Sequence, residues 1–242
     1  MRLFAIGDLH LSGGDDKPMD VFGSQWDRHF FRISEAWRKT VDDRDTVLIP
    51  GDISWAMQLE QAVPDLQAIG DLPGRKILCK GNHDYWWNSV TRVRSILPEG
   101  MAALQHDAIE LENCVVCGTR GWLIPTGGNP LAKENEKIYR REAQRLRLAV
   151  ESARQLNRQK PLAVMMHYPP LTMADRENEF VRILEESGAG MVVYGHLHGD
   201  GIRAGFHGEY HGIQYRLVSC DGIGFAPLLI GEDASAENLN FL

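Results

Sequence analysis

The feature that most constrains this chain is a series of short apolar runs, each followed at once by Asp, Asn or His. The runs and the turns after them are 3–6 with Gly7-Asp8-Leu9-His10, 46–49 with Pro50-Gly51-Asp52, 76–79 with Lys80-Gly81-Asn82-His83-Asp84, 162–166 with His167-Tyr168-Pro169-Pro170, and 191–194 with Gly195-His196-Leu197-His198. Nearly continuous apolar runs are typical of strands that are covered on both faces. Because ligands bind at the carboxyl ends of strands in α/β sheets, the pattern predicts a polar site at one sheet edge.

Amphipathic helices separate these predicted strands. Steps of three and four predict one helix whose apolar stripe contains Trp26, Phe30, Ile33, Trp37 and Val41. A longer helix follows Pro130, and its apolar face contains Tyr139, Ala143, Leu146, Val150, Ala153 and Leu156. The Arg- and Glu-rich face opposite is typical of a solvated surface with ion pairs. With further strands at 114–117, 215–219 and 228–230, the alternation predicts an α/β fold of two packed sheets with flanking helices.

Length and composition favour a single domain over residues 1–242, with a polar tail at 232–242 that extends from the domain and a loop at 12–24. The 33 acidic and 26 basic residues give a formal charge of −7, which argues against a nucleic-acid or anionic-membrane surface. No stretch is apolar for long enough to span a bilayer, and the first residues lack a signal-peptide pattern. We therefore expect a soluble cytoplasmic protein, and the sequence leaves the oligomeric state open.

The four cysteines do not form a disulfide framework in a chain of this size. Cys114 and Cys117 are spaced like a redox or zinc pair, but they flank two valines in a predicted strand. Residues three apart in a strand face opposite sides, and no second pair completes a zinc site. A function centred on cysteine is therefore disfavoured.

The strand ends together offer enough ligands for two metal ions. They supply two carboxylates, four imidazoles and one amide, from Asp8, Asp52, His10, His167, His196, His198 and Asn82. The two-residue spacing within Asp8/His10 and within His196/His198 lets each pair reach a single point. The nitrogen-rich set disfavours Mg²⁺ and Ca²⁺ and favours Mn²⁺, with Fe or Zn²⁺ as alternatives. Two such ions with two carboxylates and a hydroxide leave about one positive charge, which would attract phosphate.

The five blocks, in order, resemble the motifs of the calcineurin-like metallophosphoesterases. The resemblance spans residues 8–198 and implies a four-layer α/β/β/α fold with a dinuclear metal centre. By this resemblance one metal is held by Asp8, His10 and His198, the other by Asn82, His167 and His196, and Asp52 bridges them. A hydroxide between the metals would attack the phosphorus. His83 would donate to the phosphate or the leaving-group oxygen, and Asp84 would hold the His83 imidazole.

The resemblance leaves several substrate classes open. Protein phosphatases of this family resemble one another in an Arg four residues after the bridging Asp, and that position here is Ala56. The sequence therefore favours a small phosphodiester or phosphomonoester as the partner, with no nucleic acid and no membrane insertion. A nucleotide or lipid-linked pyrophosphatase is the alternative, and a protein phosphatase is less favoured. A catalytically inactive scaffold is also less favoured, because Asp8, Asp52, Asn82, His83 and His198 are all present.

Aromatic residues and one arginine near the motifs have two interpretations. Trp55, Trp86, Trp87 and Trp122 either pack in the interior or form an aromatic wall for a flat leaving group. We take Trp55 and Arg120 as candidate substrate contacts, with Arg120 on the phosphate. The remaining histidines, His29, His106, His207 and His211, are interpreted as structural.

Overall fold

Two mixed β-sheets, packed face to face, form the centre of the molecule. The computed structural model describes residues 1–13, 19, 23–235 and 238–242. Most of the loop predicted at 12–24 lies outside the described residues. The strands are β1 (Leu3–Ala5), β2 (Thr46–Pro50), β3 (Arg75–Cys79), β4 (Met101–Leu104), β5 (Ala108–Glu110), β6 (Val115–Thr119), β7 (Leu162–Met166), β8 (Met191–Tyr194), β9 (Gly208–Tyr210), β10 (Ile213–Leu217), β11 (Leu228–Ser235) and β12 (Asn238–Phe241). The α-helices are α1 (His29–Thr40), α2 (Leu59–Gly70), α3 (Val90–Ile96), α4 (Lys133–Leu156) and α5 (Glu179–Ser187), and two 3₁₀ helices are Ser24–Trp26 and Gly199–Ala204.

Each sheet has a parallel centre, with antiparallel pairs at one margin of the first sheet and at both margins of the second. The described strands of the first sheet run in the order β12-β11-β1-β2-β3-β4, and those of the second in the order β5-β6-β7-β8-β10-β9. Strands β1 to β4 are parallel to one another, as are β6, β7, β8 and β10. The parallel strands of each sheet therefore end at a common edge, where their following loops can meet.

The apolar runs are continuous because each central strand is covered on both sides. In β1, Leu3 and Ala5 face the other sheet, whereas Phe4 belongs to the cluster beneath the helices. In β7, Ala163 and Met165 face the first sheet, and Val164 packs with the helices of the second. Three apolar layers therefore separate four layers of secondary structure, which confirms the expected α/β/β/α sandwich.

The helices cover the outer faces much as their periodicity predicts. Ile33 and Trp37 of α1 are buried against the first sheet. The stripe of α4 packs on the second sheet, although Leu156 at its end is exposed. No helix in the described parts of the chain combines the length and the apolar character needed to cross a membrane.

Two features of the chain differ from the sequence-based expectations. The tail at 232–242, expected to extend from the domain, instead contributes to β11 and β12 at the margin of the first sheet. Four strands were not predicted from the sequence: β4, β5, β9 and β12. Cys114 and Cys117 lie in different apolar layers, as expected for residues three apart in a strand, and all four cysteines are buried and free.

One buried lysine links α2 to the first sheet. Lys76 of β3 is almost fully buried, and its ammonium donates to the carbonyl of Gly70 and to that of Leu72. Burial lowers the pKa of Lys76 to about 8. The side chain therefore satisfies two carbonyls just after the end of α2, where a helix leaves its last acceptors unpaired.

The substitution Lys76→Met tests this contact through the pH dependence of the unfolding free energy. Because the folded chain releases this proton at a lower pH than the unfolded chain, stability that depends on Lys76 rises with pH between about 8 and 10.5. Over that window the unfolding free energy of the wild type should increase relative to Lys76→Met by up to about 3 kcal/mol. Urea unfolding at a series of pH values measures this difference. Parallel curves for the two proteins would contradict the assignment.

Candidate metal centre

Loops from both sheets converge at the edge where the parallel strands end. The loops after β1, β2 and β3 carry Asp8, His10, Asp52 and Asn82, and those after β7 and β8 carry His167, His196 and His198. Backbone hydrogen bonds fix these loops to one another, including Asp8 N–H to Gly51 O (3.0 Å) and Gly195 N–H to His167 O (3.1 Å). The backbone N–H of His196 donates to the Asp8 carboxylate (3.0 Å), which joins the two sheets at the site.

The first group of donors consists of Asp8, His10 and His198. The Nε2 atoms of the two imidazoles face each other at 3.3 Å, and His198 Nε2 lies 3.5 Å from Asp8 Oδ1. Asp8 is fully buried and His10 nearly so. Two imidazole nitrogens directed at each other beside a buried carboxylate can hold a divalent cation.

The second group consists of Asp52, His167 and His196, with Asn82 beside them. Asn82 Oδ1 lies 2.6 Å from His167 Nε2 and 2.8 Å from His196 Nδ1. Asp52 Oδ2 lies 3.5 Å from His167 Nε2 in this group and 3.8 Å from His10 Nε2 in the first. A single carboxylate oxygen therefore stands between the groups, and the structure brings all seven predicted ligand side chains together.

Partners behind the imidazoles fix their orientation. His167 Nδ1 lies 3.0 Å from the carbonyl of Pro50, which accepts its hydrogen and leaves Nε2 with a lone pair directed at the site. His198 Nδ1 lies 2.9 Å from Asp221 Oδ1, and Asp221 Oδ2 accepts from the N–H of Gly199 (2.9 Å). Asp221 was not predicted from the sequence. It follows the predicted strand 215–219, as the other site residues follow theirs, and this position could have identified it.

The pKa values of the ionisable side chains at the site are shifted in opposite directions. Burial opposes protonation of His198, but the hydrogen bonds to Asp221 and Asp8 raise its pKa to about 10. Burial lowers the pKa of His10 to about 3 and that of His196 to about 4. Burial, together with the nearby charges of Asp84 and Asp8, raises the pKa of Asp52 well above its ordinary value. The neutral imidazoles of His10 and His196, together with the close carboxylates, are donors suited to divalent cations.

The backbone is strained where the ligands are held. Asp8, His10, Asp52 and His196 have φ values of 59°, 46°, 51° and 74° in the left-handed region. Such conformations are uncommon for residues other than glycine, and strained residues cluster at functional sites. The fold therefore holds these four side chains in directions that ordinary strand or turn geometry would not give them.

Two glycines permit the close approach of backbone to the carboxylates. A Cβ at Gly195 would lie 2.2 Å from Asp8 Oδ2, and one at Gly81 would lie 2.1 Å from Asp52 Oδ1. Neither contact is compatible with a side chain. The glycines that precede His196 and Asn82 are therefore required by the packing of the site.

His83 lies beside both donor groups. Its ring centroid is 5.8 Å from that of His10 and 4.6 Å from that of Trp55, and its backbone N–H donates to Asp52 Oδ1 (2.8 Å). Its Nδ1 is buried and has no hydrogen-bond partner among the described residues. The imidazole is thus close to the ligands and retains a polar atom for another group.

Asp84 has different partners from those expected. Its fully buried carboxylate accepts from the backbone N–H groups of Ile53 (2.8 Å), Ser54 (3.2 Å) and Gly81 (2.7 Å), and from the Trp86 indole (3.1 Å). These bonds tie the loop after β2 to the loop after β3. The expected orientation of the His83 imidazole by Asp84 is therefore corrected: the carboxylate positions the loops that carry Asp52 and Asn82.

The remaining candidate residues divide between the site and the interior. Trp55 stacks on His10 with ring centroids 4.8 Å apart, whereas Trp86 and Trp87 are buried in the core. The Arg120 guanidinium lies 3.5 Å from Glu142 and over the ring of Trp122, at 4.6 Å from its centroid. His29 Nε2 lies 2.9 Å from the carbonyl of Leu9, in the loop that carries the first ligands.

Comparisons with known proteins identify the class to which this fold and site belong. The sequence profile of the calcineurin-like phosphoesterases matches residues 1–200. The gene 66 protein of Mycobacterium phage L5 is 38% identical over 79 residues, which cover 32% of this chain and 37% of the phage protein. The chain thus aligns with little more than a third of that relative's length.

Two solved structures share the architecture. One is a protein of unknown function from Aquifex aeolicus, with a TM-score of 0.50 and 15% identity over 94% of each chain. The other is a phosphopantetheinyl hydrolase from Mycobacterium tuberculosis, with a TM-score of 0.54 and 16% identity over 90% of this chain and 88% of that one. At these identities the likeness concerns the fold alone.

The chain belongs to the calcineurin-like phosphoesterase family, because the family profile covers most of its length. This confirms the resemblance drawn from the five motifs. The two donor groups, centred on Asp8 and on Asp52, are the candidate metal-binding clusters of this chain.

The substitution Gly195→Ala should weaken the Asp8 group. The added Cβ displaces the Asp8 carboxylate, so Mn²⁺ affinity at one of the two positions should fall by about tenfold or more. Gly201→Ala is the matched control, because a Cβ there meets no atom within 4 Å. Titration of the metal-free proteins with Mn²⁺ measures both. If both variants bind Mn²⁺ as tightly as the wild type, the packing argument for Gly195 is wrong.

Proposed function

We propose that the protein hydrolyses a small phosphomonoester or phosphodiester with the help of two divalent metal ions. The observation that carries the proposal is the convergence of seven donor side chains in two groups that share the Asp52 carboxylate. Asp8, His10 and His198 would hold one ion, and Asn82, His167 and His196 the other. The nitrogen-rich donor set favours Mn²⁺, with Fe or Zn²⁺ as alternatives.

The ions would lower the pKa of bound water towards neutrality and neutralise phosphate oxygens during an in-line displacement. The side chains of this protein would fix the geometry. Asp221 and the Pro50 carbonyl keep His198 and His167 in one orientation. Asp84 holds the loops of Asp52 and Asn82 together. Phosphoryl transfer depends mainly on positioning and charge neutralisation, so no nucleophilic side chain is required.

His83 would act on the substrate without binding a metal. Asn82 and His83 are adjacent, and Asn82 Oδ1 is already directed at the second donor group. The His83 imidazole lies next to the first group with a buried, unpartnered Nδ1 among the described residues. Its role is to donate a hydrogen bond or proton to the phosphate or the leaving-group oxygen.

A small substrate is favoured over a protein. The position four residues after Asp52 is Ala56, which is buried in the core and offers no charge to a phosphorylated side chain. A catalytically inactive scaffold is disfavoured, because all seven donors and His83 are retained. Action in the cytoplasm and without a nucleic-acid partner stays a prediction from composition.

A substrate screen tests the proposal. The purified protein, stripped of metal and reloaded with Mn²⁺, Fe²⁺ or Zn²⁺, is assayed on phosphomonoesters, linear and cyclic phosphodiesters and nucleoside pyrophosphates. We expect metal-dependent hydrolysis of at least one monoester or linear diester. Asp52→Asn should abolish it and lower the content of both ions in elemental analysis. Full activity of Asp52→Asn, or no hydrolysis of any ester with any metal, would contradict the proposal.

The substitution His83→Ala separates catalysis from metal binding. Since His83 lies outside both donor groups, the variant should retain two ions per chain while its kcat falls by about 10²–10⁴-fold. Metal content and kcat, measured on the same preparation, give the two results. A metal-free His83→Ala protein would instead make His83 a ligand.

A further inference from the structure

A cavity of about 370 Å³ opens directly beside the first donor group. Its lining includes His10 and His198 from that group, His83, the two indoles of Trp26 and Trp55, and the side chain of Met19. The volume is at the lower end of the range for small-molecule sites, about 300–1,000 Å³. The cavity is therefore continuous with the proposed reaction centre and large enough for one small group of a substrate.

Aromatic rings form its walls. Trp55 stacks on His10 and packs against His83 at 4.6 Å between ring centroids. Trp26 meets His198 and His10 edge-on, at 5.6 Å and 6.1 Å, and is itself held by Phe225 at 5.4 Å. Trp26 and Met19 are almost fully buried, so the described walls are fixed by packing.

The lining of the cavity favours an uncharged occupant. Among the described residues that line it, there is no Lys, Arg, Asp or Glu. The His198 imidazole is already paired with Asp221 and Asp8, so a second phosphate held between the indoles would lose its hydration without a Lys or Arg to pair with it. Aromatic rings meet other aromatic rings in stacked or edge-to-face geometry with a gain beyond the area that they bury. The cavity is therefore suited to an uncharged ring.

We propose that this cavity, the Trp26–Trp55 pocket, binds an uncharged aromatic ring of the leaving alcohol. The inference rests on the proposed phosphoesterase function and names its substrate class: phosphate esters of aryl or other flat, uncharged alcohols. His83 lines the pocket and would donate to the leaving-group oxygen, so the alcohol that departs is the part of the ester that the pocket holds. A nucleoside pyrophosphate, whose leaving group carries a phosphate, is disfavoured.

Direct binding tests the pocket without relying on turnover. The probes are 2-naphthol and its saturated analogue decahydro-2-naphthol, which share a skeleton and differ in flatness and aromatic character. Isothermal titration of the protein as purified, with and without added Mn²⁺, should show tighter binding of 2-naphthol. Trp55→Leu should weaken that binding about tenfold. Trp55→Phe should restore most of it, and Phe31→Leu, at an exposed aromatic outside the pocket, should leave it unchanged.

Kinetics test the same pocket on the reacting ester. Phenyl and 2-naphthyl phosphate have leaving groups of similar acidity and differ by one fused ring. The wild type should prefer the naphthyl ester in kcat/KM by about tenfold, mainly through KM, and Trp55→Leu should lose the preference. Metal content is measured in each variant, because Trp55 contacts His10.

The outcomes separate the two proposals. Binding of 2-naphthol by a protein that hydrolyses no ester in the screen would contradict the phosphoesterase function, whereas the ring selectivity would stand. Ester hydrolysis without 2-naphthol binding, and with the same naphthyl preference in Trp55→Leu as in the wild type, would overturn the pocket. Equal or tighter binding of decahydro-2-naphthol would also overturn it, in favour of an aliphatic group.

Discussion

The site depends on holding polar side chains face to face at the common edge of the two sheets. The Nε2 atoms of His10 and His198 are 3.3 Å apart, and the Asp8 carboxylate is fully buried next to them. The backbone fixes this arrangement. Four ligand residues are held at positive φ, and Gly195 lets the chain pass directly over Asp8.

Each of the two sheets supplies part of the site. The first sheet supplies the candidate ligand carboxylates Asp8 and Asp52, and the second supplies His167, His196 and His198. The apolar layer between the sheets sets the distance between these side chains. The hydrogen bond from His196 N–H to the Asp8 carboxylate joins the sheets at the edge. A change in core packing between the sheets would therefore alter the distances between the donor groups without replacing any of the candidate ligands.

The sequence predicted the centre of the fold well and its margins poorly, for a physical reason. Every predicted strand is present, and each lies inside its sheet, where burial on both faces gives a continuous apolar run. The four unpredicted strands, β4, β5, β9 and β12, are the outermost described strands of the two sheets. Edge strands are short and partly exposed, so their sequences carry little of that signal. Strand β9 is an example: its sequence, Gly-Glu-Tyr at 208–210, is three residues long and contains no continuous apolar run.

Within the site, too, the local sequence indicates some residues and gives little sign of others. Each of the seven ligand candidates follows a strongly apolar strand, so the sequence alone placed them at one sheet edge. The partners that orient them depend on tertiary contacts: Asp221 reaches His198 across 23 residues, and Asp84 reaches Ile53 across 31. The family pattern gave Asp84 a role beside His83, but its carboxylate is directed at backbone N–H groups. Adjacent side chains diverge, so the Asp84 carboxylate and the His83 imidazole have different partners.

A comparison of three buried carboxylates at the site, Asp8, Asp52 and Asp84, shows how Asp52 differs from the other two. Asp84 accepts four N–H hydrogen bonds, and Asp8 accepts from His196 N–H and lies beside His198. Asp52 Oδ1 accepts from His83 N–H, but Oδ2 stands 3.5 Å and 3.8 Å from imidazole nitrogens, too far for a good hydrogen bond. Burial and its neighbours Asp84 and Asp8 raise the pKa of Asp52, so its negative charge is the least compensated of the three. A cation on either side would supply the missing compensation to that one oxygen, and this is the physical basis for proposing Asp52 as the bridge between the two donor groups.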